Sequence, residues 1–466
     1  MDPVPQTQAE SDSQAGNGEA ERGRLRKALR YSFLDGLLTT ITLSLVDTFA
    51  IPAIIALGAG NLTVAILAGV ASLLSGVCQL FSPGLTANAT SRRTMVLRGI
   101  RSQALGCLFL AGAGFLGSWG IPLAIAAYGL YSVSGSVIYG TWASWMSDLV
   151  PSSGRSRYFA LRSMVYGPVG GAATLGTGIA FRLIWGKSEQ APWAAFAAAF
   201  AAAAVLRFGA SLFVARQHEP PARGEKTPAE DFTFWQFLSK TGESNFANFT
   251  VLFALLNGGA YLTGPFFASY VMKDLGRDAF TYATFPICAI VSSMIFVRFW
   301  ARVADRWGNL LVIRVTSVLL ALIPLLYLGD ARVRIWPLYI GWVAGGAVWS
   351  GLNLASFNLV METATPRRRV RCYAYMQATL GIVVAAFMLV WGVLADHLPV
   401  FFQYRLQTVF LCSVFMRMLP ALGMIFLVKE RKPRPEADAL EVFYELPAVR
   451  PTAEFLRGLT RPFSRS

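Results

Sequence analysis

Apolar runs of about twenty residues follow one another along most of the chain, separated by short polar links. A run of that length crosses the hydrocarbon core of a bilayer as one helix. In lipid every backbone N–H and C=O must be satisfied within the segment, which makes the α-helix the form each run has to take. Hydrophobic residues make up 55% of the 466 and charged residues only 14%, so most of the surface has to face lipid rather than water. The chain therefore reads as an all-α polytopic membrane protein. Its net charge of +15 would suggest nucleic acid in a water-soluble chain. Here, however, Arg and Lys fall mostly in links and tails, where they orient the spans, and a nucleic-acid partner is not expected. Four of the five cysteines, Cys78, Cys107, Cys288 and Cys412, lie inside apolar runs, and Cys372 opens one. Without CxxC spacing they read as small core residues, not as disulfides or metal ligands.

In chain order, residues 1–30 are polar and then basic, and are expected to form a disordered cytoplasmic N-terminus. The run Arg22, Arg24, Arg26, Lys27 and Arg30 precedes the first span, Tyr31 to Leu57, and holds that end in the cytoplasm. Residues 31–216 then carry six runs, 217–244 form a Pro-, Glu- and Lys-rich cytoplasmic linker, and 245–428 carry six more. Residues 429–466 form a polar tail expected to be disordered, and an even number of spans puts both termini inside. Within the linker, Phe232 to Lys240 reads either as a short amphipathic helix on the inner membrane face or as a loop packed on the bundle.

The two groups of six look like a repeat. The link Ala301 to Asn309 joins two apolar runs and reads as a tight turn at the membrane surface, marked by Asp305, Arg306 and Gly308. The link Gly84 to Arg93 stands 217 residues earlier, with Gly84 in the place of Ala301, Asn88 in that of Asp305, and Arg92 and Arg93 closing it. A second parallel joins Asp148 and Pro151, followed by Arg155, Arg157 and Tyr158, to Glu362 and Pro366, followed by Arg369, Arg371 and Tyr373. In each case an acid closes one helix, a proline breaks the chain, and arginines open the next helix.

These links resemble the signature Gly-x-x-x-Asp-Arg-x-Gly-Arg-Arg of the major facilitator superfamily of secondary transporters. Ala301-x-x-x-Asp305-Arg306-Trp307-Gly308-Asn309 matches well. The earlier copy departs, with Asn88 for the acid, Ala89 for the base and Ser91 for the glycine. The resemblance covers about Tyr31 to Val428 and implies twelve transmembrane helices in two pseudo-repeated six-helix bundles, working as a monomer. It also implies that Gly84, Asn88, Arg92, Arg93, Asp148, Arg155, Arg157, Asp305, Arg306, Gly308, Glu362, Arg369 and Arg371 gate the cytoplasmic side. Helix capping and orientation are the alternative role for these charges. In the fifth run, Gly167-Pro168-Val169-Gly170-Gly171 permits a kink and close helix approach. It is one residue short of the Gly-Pro-x-x-Gly-Gly motif of the superfamily's proton-driven exporters, and gives a slight lean toward export.

Charges deep in a span are costly and therefore informative. Asp47 lies about two thirds of the way through the first run. A carboxyl there can carry a proton in dry surroundings and release it when water or a base arrives, which is the chemistry of proton coupling, though a bond to a neighbouring helix is the plainer role. Asp35 is expected at the water interface, and the roughly central Arg207 and Arg417 are expected to bind other helices. Spans one, four, seven and ten line the superfamily's cavity, which offers Tyr139, Trp142, Asn257, Tyr261, Trp349 and Asn353 as contacts for an amphipathic organic solute.

The chain has no GxxxxGK[ST] loop for ATP, and its two histidines, His218 and His397, are too few for a metal site or a catalytic triad. Neither catalysis nor a cofactor is expected. The expected function is a gradient-driven transporter of a small organic solute, with H+ as the coupling partner, exporting by antiport. An uptake symporter and a non-transporting sensor or assembly protein are the alternatives. An Ala- and Arg-rich composition points to a bacterial cytoplasmic (inner) membrane.

Overall fold

The structure is a computed structural model, and it describes residues 8–87, 91–150, 155–185, 193–220, 233–329, 334–363 and 369–429. The expected tail 430–466, linker residues 221–232 and Asn88 lie outside the described residues, as do the side chains of Arg155, Arg157 and Arg369. Among the described residues there is no strand. The first half contains α1 (Gln8–Ala56), α2 (Asn61–Ala87), α3 (Arg92–Ala113), α4 (Gly120–Leu149), α5 (Arg155–Trp185) and α6 (Trp193–Ala215). After the short α7 (Phe234–Ser239), the second half contains α8 (Asn245–Ser269), α9 (Ala279–Trp307), α10 (Asn309–Leu322), α11 (Trp336–Thr363), α12 (Arg369–Leu394) and α13 (Arg405–Leu427).

Nine stretches among the described residues are long and apolar enough to cross a membrane. Of the twelve long helices only α3, α5 and α11 fall outside that set. The α3 sequence carries Arg92, Arg93, Arg98 and Arg101, and α11 carries Asn353, Asn358 and Glu362. Such residues are tolerated where protein or a wetted cavity, not lipid, faces them.

Helix ends follow from local chemistry. Ser91, Ser244 and Asp278 each accept from the amide three residues on, satisfying orphan N–H groups at the starts of α3, α8 and α9. The turn after the eighth apolar run is shorter than the sequence suggests. Helix α9 continues through Asp305 and Arg306 to Trp307, and Gly308 alone makes the turn, at φ 98°, a conformation that glycine adopts without strain. Likewise Gly84 lies inside α2, and α1 starts at Gln8, within the stretch expected to be irregular. Helix α7 packs on the bundle through Phe234 and Phe237, both in ring contact with Tyr375 of α12, while Trp235 is exposed.

In the first half α3 packs on α4 and α6, α1 on α5 and α6, and α2 on α4; in the second, α9 packs on α11, α8 on α12 and α13, and α10 on α11 and α13. The halves meet along α2 against α12 and α5 against α9. At the first contact a Cβ on Gly76 would stand 2.8 Å from Gly381 Cα, so only hydrogen fits where those backbones cross.

Candidate functional site

Asp47 on α1 is accessible to solvent although it lies far inside the bundle, enclosed by protein. That exposure marks a candidate cavity, flanked by Tyr131 of the first half and Tyr261 of the second. Tyr131 of α4 is only 3% exposed and lies beside the Asp47 carboxyl. Tyr128 of α4 and Tyr261 of α8 are also near enough to interact electrostatically with Asp47, and Tyr282 of α9 with Tyr128. The rings of Tyr128 and Tyr131 stack with centroids 5.8 Å apart, and Tyr261 meets Trp349 of α11 edge-on at 6.3 Å. Asp47 thus has tyrosines of both halves near it.

Of the side chains expected in the cavity, Tyr261 and Trp349 join this cluster. Asn353 is exposed one turn beyond Trp349 on α11, so it shares the Trp349 face. Tyr139 is 58% exposed on α4 and interacts electrostatically with Tyr373 of α12. Trp142 lies elsewhere, with its ring 4.6 Å from the Arg162 guanidinium. Asn257 is buried and donates to Phe253 O of its own helix at 2.7 Å, so α8 rather than the cavity satisfies its amide. Tyr128, Tyr131 and Tyr282 did not stand out in the sequence, because a tyrosine in an apolar run gives no sign of which way it faces.

Behind the cavity lies a buried polar network. Asp35 is 5% exposed, not at the water interface as its place in the run suggested, and it accepts from Thr39 Oγ1 at 3.4 Å. Arg207 donates to Thr39 Oγ1 and, at 2.7 Å, to Gln103 Oε1, while Gln103 Nε2 donates to Tyr131 O at 3.3 Å. Arg162 donates to Ser32 Oγ at 2.8 Å and to Tyr158 Oη at 3.1 Å. Both arginines interact with Asp35. In the second half, Arg417 donates to Gly259 O, Leu320 O, Ala260 O and Thr263 Oγ1, tying α13 to α8 and α10.

Polar residues at the helix ends nearest the chain's start form two related clusters. Arg92 Nη1 lies 2.6 Å from Asp148 Oδ2, and Glu219, which the sequence did not single out, accepts from Ser91 Oγ and from the Arg92 amide at 2.6 Å each. In the second half Asn309 Nδ2 donates to Glu362 Oε1 at 2.9 Å, and Asn358 Nδ2 to Asn309 Oδ1 at 3.2 Å. Asp305 and Arg306 are exposed at the end of α9, with the Arg306 guanidinium 4.7 Å from the Trp307 ring. Gly84 and Arg93 are exposed, and Arg371 is half-buried near Tyr375. In α5, Gly170 lies against Ser44 and Thr40 of α1, Gly167 faces Met294 of α9, Pro168 is exposed within the helix and Gly171 is buried.

At the opposite end, polar contacts bridge the halves. Asn61 Nδ2 at the start of α2 donates to Asp396 Oδ1 just beyond α12 at 2.8 Å, Lys273 Nζ donates to Ala59 O, and Arg182 Nε of α5 lies 3.9 Å from Asp278 Oδ2, the cap of α9.

Comparison with known proteins agrees with this architecture. No curated protein sequence matches the chain. A crystal structure of a mutant of the nucleoside transporter NupG superposes with a TM-score of 0.70 at 13% identity, covering 86% of this chain and 100% of that one. A D-xylose-proton symporter gives 0.65 at 12% identity, over 88% and 99% of the two chains. A bacterial homolog of the human lysosomal transporter Spinster, in an inward-facing and unoccupied conformation, gives 0.64 at 13% over 87% and 97%. At such identities the likeness shows the fold alone. The family model for the Major Facilitator Superfamily matches residues 36–382 and 249–462, and the chain belongs to that superfamily of membrane transporters.

Proposed function

We propose that the chain is a secondary active transporter that moves a small organic solute by alternating access, coupled to protons through Asp47. The observation that carries this reading is the placement of Asp47. It is a carboxyl open to solvent within the bundle, with Tyr128 and Tyr131 of the first half and Tyr261 of the second near it. A group at the seam of two rocking halves can meet one side of the membrane and then the other, loading a proton on one side and releasing it on the other.

The bridges Asn61–Asp396, Lys273–Ala59 and Arg182–Asp278 support a state in which the outer end is shut and the cavity opens toward the cytoplasm. The charged clusters at the other end, including Asp148, Glu362, Asp305 and Arg306, would rearrange when that end closes. The basic residues Arg22 to Arg30, ahead of the first apolar run, support a reading in which both termini face the cytoplasm and the protein sits in the cytoplasmic membrane. The glycines and proline of α5 between α1 and α9 favour proton-driven export over uptake. Purified protein is first screened for solutes that raise its melting temperature, since a binder stabilises the folded state by mass action. The hits are then tested for flux into proteoliposomes under an imposed pH difference. Solute-dependent flux driven by that difference supports the reading. Binding without flux would instead favour a sensor.

A further inference from the structure

Helix α3 carries arginines on two faces. Arg92 is buried with Val96, Ile100, Gln103 and Cys107, and it meets Asp148 and Glu219. Arg98 and Arg101 lie instead on the outward face, which continues along the helix as the exposed Leu105, Leu108 and Phe109. An exposed apolar stripe on a long helix of a membrane protein faces lipid, so both arginines stand on the lipid-facing surface, about 9 and 13 Å along the axis from Arg92. A charge there is costly unless its stem reaches the headgroups and a counter-charge meets it. Among the described residues neither arginine makes a hydrogen bond or an ion pair. The neighbouring carboxylates are already engaged, Asp148 and Glu219 with Arg92, and Asp35 with Arg162 and Arg207.

The fold does not demand these charges. At the repeat-related places 217 residues on, α10 carries Val315 and Val318. The helix beside α3 adds to the same surface. Helix α6 runs antiparallel to α3: Trp193 at its start donates to Ala111 O near the end of α3 at 3.2 Å, and Glu219 beyond its end accepts from the Arg92 amide. Its exposed stripe, Val205, Phe208 and Leu212, ends on the exposed Arg216. Gln217 Nε2 donates to Ala28 O at 3.1 Å, and the rings of Tyr31 and Phe213 lie 6.3 Å apart, which brings the exposed Arg24, Arg26, Lys27 and Arg30 of α1 to the same end of the molecule.

We propose that the outward face of α3, with the adjoining end of α6, binds an anionic phospholipid of the leaflet at that end, the cytoplasmic one on the orientation given above. Arg98 and Arg101 take the headgroup phosphate, for which a guanidinium offers a matching fork of donors. Leu105, Leu108 and Phe109 lie against the acyl chains, and the basic residues of α1 and Arg216 attract further negative charge to this side. Orientation of the spans, the ordinary role of basic residues in such proteins, needs charges in the links and not two arginines within a lipid-facing stripe. A free phosphate ion would leave that apolar stripe unused.

Lipid retained by the full-length protein tests this without requiring transport. Protein in neutral detergent is given equal amounts of dioleoylphosphatidylglycerol and dioleoylphosphatidylcholine, which differ only in the headgroup, and the bound lipid is counted by native mass spectrometry. Wild type should retain the anionic lipid over the zwitterionic one by at least about tenfold. The double variant Arg98→Gln/Arg101→Gln should lose most of that preference, and Arg98→Lys/Arg101→Lys should keep part of it, which separates lost charge from a damaged fold. Lys240→Gln/Lys429→Gln removes two exposed positive charges from the second half and should leave the preference as in wild type. Equal retention of the two lipids by wild type, an unaltered preference in Arg98→Gln/Arg101→Gln, or an equal loss in the Lys240 and Lys429 variant overturns the proposal. So does release of the bound lipid by millimolar inorganic phosphate, which would make this a site for the ion alone.

Discussion

Arg92 Nη1 lies 2.6 Å from Asp148 Oδ2, and 217 residues after Arg92 stands Asn309, whose Nδ2 donates to Glu362 Oε1 at 2.9 Å. The same place in the two halves thus holds an ion pair in one and a neutral donor on a carboxylate in the other. The Arg92 side chain is 6% exposed and that of Asp148 20%, so the pair is screened only in part.

This difference predicts unequal losses. Arg92→Ala leaves Asp148 and Glu219 without their cation and should cost about 2–3 kcal/mol, below the range for a fully enclosed pair because Asp148 reaches solvent. Asn309→Ala removes that hydrogen bond to a carboxylate and the one Asn309 accepts from Asn358, and should cost about 1–2 kcal/mol. Unfolding in detergent, followed by loss of helical signal, checks the order, and equal losses would contradict it.

Arg417 predicts a second contrast. Its guanidinium spans acceptors on α8 and α10, reaching Gly259 O at 3.0 Å, Leu320 O at 3.0 Å and Thr263 Oγ1 at 2.5 Å. An ammonium cannot fork across that set, so Arg417→Lys should fall between wild type and Arg417→Ala in melting temperature. The expected cost of the alanine change is about 2–4 kcal/mol. A lysine variant as stable as wild type would show that charge alone, and not the fork, holds these helices.

Much of the architecture was legible in the sequence because run length and link charge are properties of the chain itself. Among the described residues each run reappears within a long helix, nine of them with a stretch long and apolar enough to cross a membrane. The eighth link was misjudged because its charges sit on the last turn of a helix: α9 runs on to Trp307 and Gly308 alone turns the chain. The cavity was only half legible. Asp47 stood out because a charge in a span is costly, whereas Tyr128, Tyr131 and Tyr282 look like any aromatic in an apolar run until helix rotation is known. For the same reason Asn257 looked like a cavity amide, yet it bonds to the carbonyl one turn back. Asp35 appeared to be near water, but α1 is longer than its span and carries it into the bundle, beside Arg162 and Arg207.

Closure of the outer end can be tested by tying it shut. In a variant carrying Asn61→Cys and Asp396→Cys, a bridging reagent should join the two positions, whose wild-type side chains are 2.8 Å apart. Joined protein should lose at least about nine tenths of its flux, and cleavage of a reducible bridge should restore it. Undiminished flux in the joined protein would mean that this end need not open.

For gating, Asp305→Asn should slow transport more than Asn88→Ala while leaving membrane insertion intact. Asp305 is the acid of the fuller copy of the link motif, and it lies exposed at the end of α9. Initial rates of flux at equal protein density check this, and equal rates in both variants and wild type would remove the gating role.

Proton coupling through Asp47 is the centre of the account, and one variant tests it most directly. Asn copies the shape and polarity of the protonated acid but cannot exchange a proton, so Asp47→Asn proteoliposomes should still exchange solute across the membrane. The solute used is the one that most stabilises the purified wild type and is still bound by the variant. Accumulation of that solute under an imposed pH difference, compared between wild type and Asp47→Asn, is the deciding measurement. The account predicts accumulation in wild type and only equilibration in the variant. Accumulation by Asp47→Asn in proportion to the pH difference would contradict it and leave Asp47 a structural residue.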